Sequence, residues 1–108
     1  MNIQGFLFLD DTDTSGESKA LNCSDASYLT ISVEADATTT VDADVKCKLD
    51  MESQEFYACA VTDLSDGTMA SSIDDAGLFR LDVRGINQVM IKNNGTAGSI
   101  KVFGMLSD

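Results

Sequence analysis

Between Val41 and Met51, the apolar residues Val41, Ala43, Val45, Cys47, Leu49 and Met51 alternate with Asp42, Asp44, Lys46, Lys48 and Asp50. Side chains on a β-strand point to opposite faces in turn, so this pattern predicts a strand with one face on a core and one in water. Shorter alternations at Leu29, Ile31 and Val33, at Phe79, Leu81 and Val83, and at Ile100 and Val102 predict further strands. Two segments break the rule: 6–9 (Phe-Leu-Phe-Leu) and 55–62 (Glu-Phe-Tyr-Ala-Cys-Ala-Val-Thr) are apolar on consecutive positions, which predicts cover on both faces. For Phe6, Leu7, Phe8 and Leu9 the second face calls for a packed loop or a neighbouring subunit, and a homo-oligomer interface through these four residues is the expectation.

Turn signals separate the runs: the Asp-Thr-Ser-Gly stretch ending at Gly16, then Asp66-Gly67, Ala76-Gly77, Arg84-Gly85 and Asn94-Gly95. The Ser, Asp and Gly content of 64–76 predicts an irregular loop with at most one helical turn. Roughly seven or eight short strands with no substantial helix predict an all-β fold, an antiparallel β-sandwich of jelly-roll or immunoglobulin-like type. With 108 residues, 1–108 is expected to form one sandwich domain.

Charge narrows the partners. Eighteen acidic residues against seven basic ones give a formal charge of −11, which repels a phosphate backbone and an anionic membrane surface. Neither nucleic acid nor membrane is an expected partner. The acidity fits a solvated, self-repelling surface, or docking on a cation or a basic partner. The opening residues 1–10 lack a basic n-region and hold only a four-residue apolar core, so synthesis in the cytoplasm without Sec export is expected.

Histidine is absent, which removes the usual triads and a Cys–His nucleophile. Cys23, Cys47 and Cys59 form no C-x-x-C spacing and are expected as buried free thiols. The neighbouring carboxylates Asp10–Asp11 and Asp74–Asp75 fit solvated turns better than a glycosidase pair, so no enzyme activity and no catalytic residue are expected. Asp11, Asp13, Ser15 and Gly16 reproduce the D-x-D-x-S-G opening of a calcium loop. The closing bidentate Glu is replaced by Asn22, so a Ca²⁺ site would need another carboxylate such as Asp25, and a plain acidic turn is the competing reading. No other cofactor is expected. Asn22-Cys23-Ser24 and Asn94-Gly95-Thr96 fit the glycosylation pattern, which has meaning only in a secreted eukaryotic chain.

The C-terminal segment from Asp75 to Gly104 carries three linked elements. They are Gly77-Leu78 through Asp82-Val83-Arg84-Gly85, then Val89-Met90-Ile91, then Gly98-Ser99-Ile100-Lys101-Val102-Phe103-Gly104. This succession resembles a pattern of tailed-bacteriophage structural β-sandwich domains, and the similarity extends over residues 28–106. Phe56-Tyr57 stands where that pattern often has a tryptophan. The resemblance implies a virion component: a capsid decoration or cement protein, or a head-fibre or tail domain. It further implies a homo-oligomer around a symmetry axis, a trimer among the options, that binds major capsid or other virion proteins. The alternative is a carbohydrate-binding or receptor-binding module. Glycan recognition usually presents exposed aromatics, whereas this chain has no tryptophan and only Tyr28 and Tyr57 beside five phenylalanines. Tyr57, placed inside an apolar run, is expected to be core.

Overall fold

A computed structural model describes residues 4–12, 16–49, 55–95 and 98–108. Every regular element among them is a β-strand. In chain order these are β1 (Gln4–Thr12), β2 (Gly16–Glu17), β3 (Leu21–Asn22), β4 (Tyr28–Ala35), β5 (Ala43–Lys48), β6 (Tyr57–Ala58), β7 (Val61–Asp63), β8 (Met69–Ala70), β9 (Ser72–Ile73), β10 (Gly77–Asp82), β11 (Gln88–Asn93) and β12 (Ile100–Ser107). They form two antiparallel sheets. The first runs β1-β12-β4-β10-β7-β8; the second runs β2-β11-β5-β6, with β3 also on β11 and β9 also on β5. The molecule is thus the all-β sandwich that the alternation predicts.

The period-two pattern decides which atoms meet between the sheets. In β4, Leu29, Ile31 and Val33 are buried while Thr30, Ser32 and Glu34 face out. Phe79, Leu81 and Val83, then Ile100, Val102 and Leu106, add to the same layer. Ala43, Val45, Val89 and Ile91 meet them from the second sheet. Burying a Leu, Ile or Val side chain contributes about 1.5–3 kcal/mol, so these positions are the main source of stability.

Three expectations are corrected. The alternation from Val41 to Met51 does not run as one strand. β5 stops at Lys48, Val41 and Cys47 are half-buried, and Leu49 is 75% exposed because it lies beyond the ladder; Met51 is outside the described residues. The run 55–62 is not covered on both faces: it splits into the short edge strand β6, whose two residues are exposed, and the start of β7 in the other sheet, where Val61 alone of the run is fully buried. The stretch 64–76 holds no helical turn but a tight turn followed by β8 and β9.

The turns show one use for the acidic residues. The carboxylates of Asp36, Asp63, Asp66 and Asp82 each accept a bond from a backbone N–H two residues ahead, at 2.9–3.0 Å. Short side chains that bond their own backbone in this way fix a turn. Gly67 and Gly85 sit in two of these turns at φ +78° and +84°, a region costly for residues with a β-carbon.

Candidate interaction surface

The outer face of the first sheet is built from the positions that alternate with the core. Antiparallel register aligns Leu7 with Phe103, Phe103 with Ser32, and Ser32 with Leu78. Leu64 continues this row, its N–H donating to the Leu78 carbonyl at 3.0 Å. Leu7 is 43% exposed, Phe103 38%, Leu78 53% and Leu64 40%. The next row runs Gly5, Met105, Thr30, Arg80, Thr62 and Met69, with both methionines exposed. Arg80 Nε donates to Thr30 Oγ1 at 3.5 Å.

These two rows contain no carboxylate, although the chain carries eighteen acidic residues. Arg80 is the one charged side chain within the two rows; the carboxylates lie at the ends of the face. At one end, Arg84 forks onto the Asp82 carboxylate and lies 5.6 Å from the centroid of the Tyr28 ring. Hydrogen bonds from Arg84 pull the Asp82 carboxyl down to about 2, and the same bonds push the Arg84 guanidinium up. At the other end, Glu34, Ala35, Asp36, Ser99 and Lys101 line an open depression of about 330 Å³. A face with apolar rows in the middle and polar groups at its margins has the layout of a protein-binding surface.

The four-residue interface expected at 6–9 is corrected. Phe8 and Leu9 are buried in the core, and Phe6 packs against it, its ring 4.9 Å edge-on from that of Phe8. The register advances from Leu7 opposite Phe103 to Leu9 opposite Val102, two residues on β1 against one on β12. That β-bulge turns two consecutive residues, Phe8 and Leu9, to the inside. Leu7 alone of the four shows a large exposed surface.

Of the expected calcium ligands, Asp13 and Ser15 lie outside the described residues; Asp11 belongs to β1, its side chain outside the description. Asp25 is exposed in the turn before β4. Among the described residues, no group of three or more His, Cys, Asp or Glu side chains is placed to hold a metal ion. Asp74 and Asp75 are exposed on a turn, where Asp75 accepts from the Ala76 N–H at 2.9 Å. Tyr57 is not core: it is 63% exposed, and its hydroxyl donates to Glu55 Oε2 at 3.0 Å. Next to it, Lys48 Nζ sits 4.8 Å from the centroid of the Phe56 ring.

The cysteines are all free thiols. Cys23 is buried, and burial pushes its thiol up to about 11; Cys47 and Cys59 are half-buried. The apolar rows escaped a linear reading because Leu78 and Phe103 look like ordinary strand residues and Leu64 reads as the start of a loop. Only the sheet order makes them neighbours.

Comparison with known proteins places the fold. No protein-family model matches the chain, and no curated protein matches it in sequence. Among solved structures, the SPBc2 prophage-derived protein YomS superposes with a TM-score of 0.87 at 19% identity, covering 97% of this chain and 92% of YomS. The PBSX exported protein XepA superposes with a TM-score of 0.89 at 20% identity. That match covers 97% of this chain and 37% of XepA, so the chain corresponds to just over a third of XepA's length. The chain shares its β-sandwich with these phage-derived proteins.

Proposed function

We propose that the chain is a non-catalytic structural protein of a phage particle, which assembles with copies of itself and docks on major capsid or other virion proteins as a decoration, cement or head-fibre component. The observation that carries this reading is the carboxylate-free apolar face Leu7–Phe103–Ser32–Leu78–Leu64 on an otherwise strongly acidic molecule. Elsewhere, acidic surfaces repel one another at short range. This face can approach another protein without setting carboxylate against carboxylate. The sandwich shared with YomS and XepA supports a phage setting.

The test is electron microscopy and mass spectrometry of purified particles bearing and lacking the chain, together with light scattering on the isolated protein. The reading expects the chain in the particles at a fixed stoichiometry and an oligomer in solution. A chain absent from purified particles and strictly monomeric would overturn it.

A second reading rests on Tyr57. Its exposed ring beside Phe56 and Lys48 is of the kind that stacks on a sugar, as in a carbohydrate-binding or receptor-binding module. A glycan array separates the two readings, since sugar binding that is lost in Tyr57→Ala favours the second.

A further inference from the structure

The three cysteines are distant in sequence and converge in space. Val89 on β11 lies opposite Cys47 on β5 and opposite Leu21 on β3, and Cys23 follows two residues after Leu21. On the other side of β5, the register sets Cys47 against Tyr57 and Lys46 against Ala58. The Cys59 N–H then donates to the Val45 carbonyl at 3.0 Å, which continues that ladder by one pair. Cys59 is therefore the diagonal neighbour of Cys47, and both pack against the core.

Diagonal neighbours across an antiparallel pair stand about 7–8 Å apart at Cα and closer at Cβ. A disulfide needs Cα atoms within about 6.8 Å. The difference is on the order of 1 Å, which β6 can supply because it is a two-residue strand at the end of its sheet, bonded among the described residues only to β5. Both side chains sit on the core side of this ladder, where the Cys59 thiol donates to the Val45 carbonyl at 3.5 Å. Cys23, only 1% exposed, is closed to a soluble oxidant.

We propose that Cys47 and Cys59 are a disulfide-forming pair, closed by a disulfide oxidant such as oxidised glutathione, with Cys23 left as a thiol. The thiolate of one cysteine attacks a sulfur of oxidised glutathione, forming a mixed disulfide and releasing one glutathione thiolate. The second cysteine loses its proton and displaces the other glutathione. The protein gives up two electrons and two protons, and oxidised glutathione becomes two molecules of glutathione. Burial and the contact with Cys47 push the Cys59 thiol up, so the reaction speeds up as pH rises. The bond would tie the short strand β6 to β5, which forms the interior of the second sheet.

The test incubates the folded, full-length chain with oxidised glutathione at about pH 8, where thiol–disulfide exchange proceeds. Remaining thiols are then alkylated, and the protein is digested and mapped by mass spectrometry. The expected product carries one alkylated cysteine, Cys23, and a peptide linking Cys47 to Cys59. It melts at a higher temperature than the reduced chain, and the gain disappears on reduction. Cys23→Ser should react as the native chain does, whereas Cys59→Ser should stop at a glutathione adduct on Cys47. Three alkylated thiols, glutathione adducts without a link, a link to Cys23 or a link between chains would each overturn the proposal.

Discussion

The ring of Phe103 lies across the backbone of Gly5, so that a β-carbon added to Gly5 would stand 2.7 Å from Phe103 Cζ. On the opposite face of the same strand pair, a β-carbon on Gly104 would stand 2.6 Å from Phe8 Cε2 and 3.0 Å from Leu29 Cδ1. Two glycines therefore make room for aromatic rings, one facing solvent and one facing the core.

Their substitutions should separate. Gly104→Ala crowds buried side chains that have no free space, and overpacking of that kind costs about 1–3 kcal/mol. Gly5→Ala meets the far end of a partly exposed ring that can swing outward, so its cost should stay within about 0.5 kcal/mol, as at most surface sites. Urea denaturation of both variants measures the contrast; equal losses would contradict the placement of the two rings.

Leu78→Asp puts a carboxylate in the middle of the apolar row. Association with the chain's own copies or with particles should drop at least tenfold, while unfolding free energy changes by about 1 kcal/mol or less. Sedimentation analysis and a denaturation curve on the same sample give both numbers. Undiminished association in Leu78→Asp would move the interface elsewhere.

Burial raises the Cys23 thiol to about 11 in the fold, against an ordinary thiol value of 9.0 in the unfolded chain. The folded state holds its proton more tightly, so the stability from the neutral thiol is complete below about 9. It declines as pH rises towards about 11, because there the unfolded chain has released the proton and the folded chain has not. Stability curves at stepped alkaline pH should show this decline, and Cys23→Ala should flatten it.

Gly85 has φ +84° and nothing within 4 Å of the space a β-carbon would fill. Gly85→Ala is thus a backbone test free of steric contact, with an expected loss of about 1–3 kcal/mol. Gly85→Asn should lose less, because asparagine tolerates the left-handed region. Thermal melts of the two variants check the order.

Much of the fold is legible in the sequence because burial on one face imposes a period of two. Leu29, Ile31, Val33, Phe79, Leu81, Ile100 and Val102 all lie on the core side that their spacing predicts. The reading fails where a strand ends or slips. Nothing local marks Lys48 as the last residue of β5, so Leu49 looks like core and is exposed. The bulge at Leu7–Leu9 depends on how β1 meets β12, and four consecutive apolar residues do not reveal which of them turns outward. The apolar rows and the meeting of Cys47 with Cys59 are properties of strand order and register. These follow from long-range pairing that periodicity does not encode.

The margins of both sheets limit how copies of this molecule can join. β8 ends the first sheet with two residues, and the second is bordered by the two-residue pieces β2 and β3 on one side and β6 and β9 on the other. The one long border, β1, is twice thrown out of step with its neighbour. None of these gives a newcomer a straight run of free amides and carbonyls to zip onto. Crowded side by side at high local density, such molecules resist fusing into an endless ribbon, and stay separate units that meet only through their side chains.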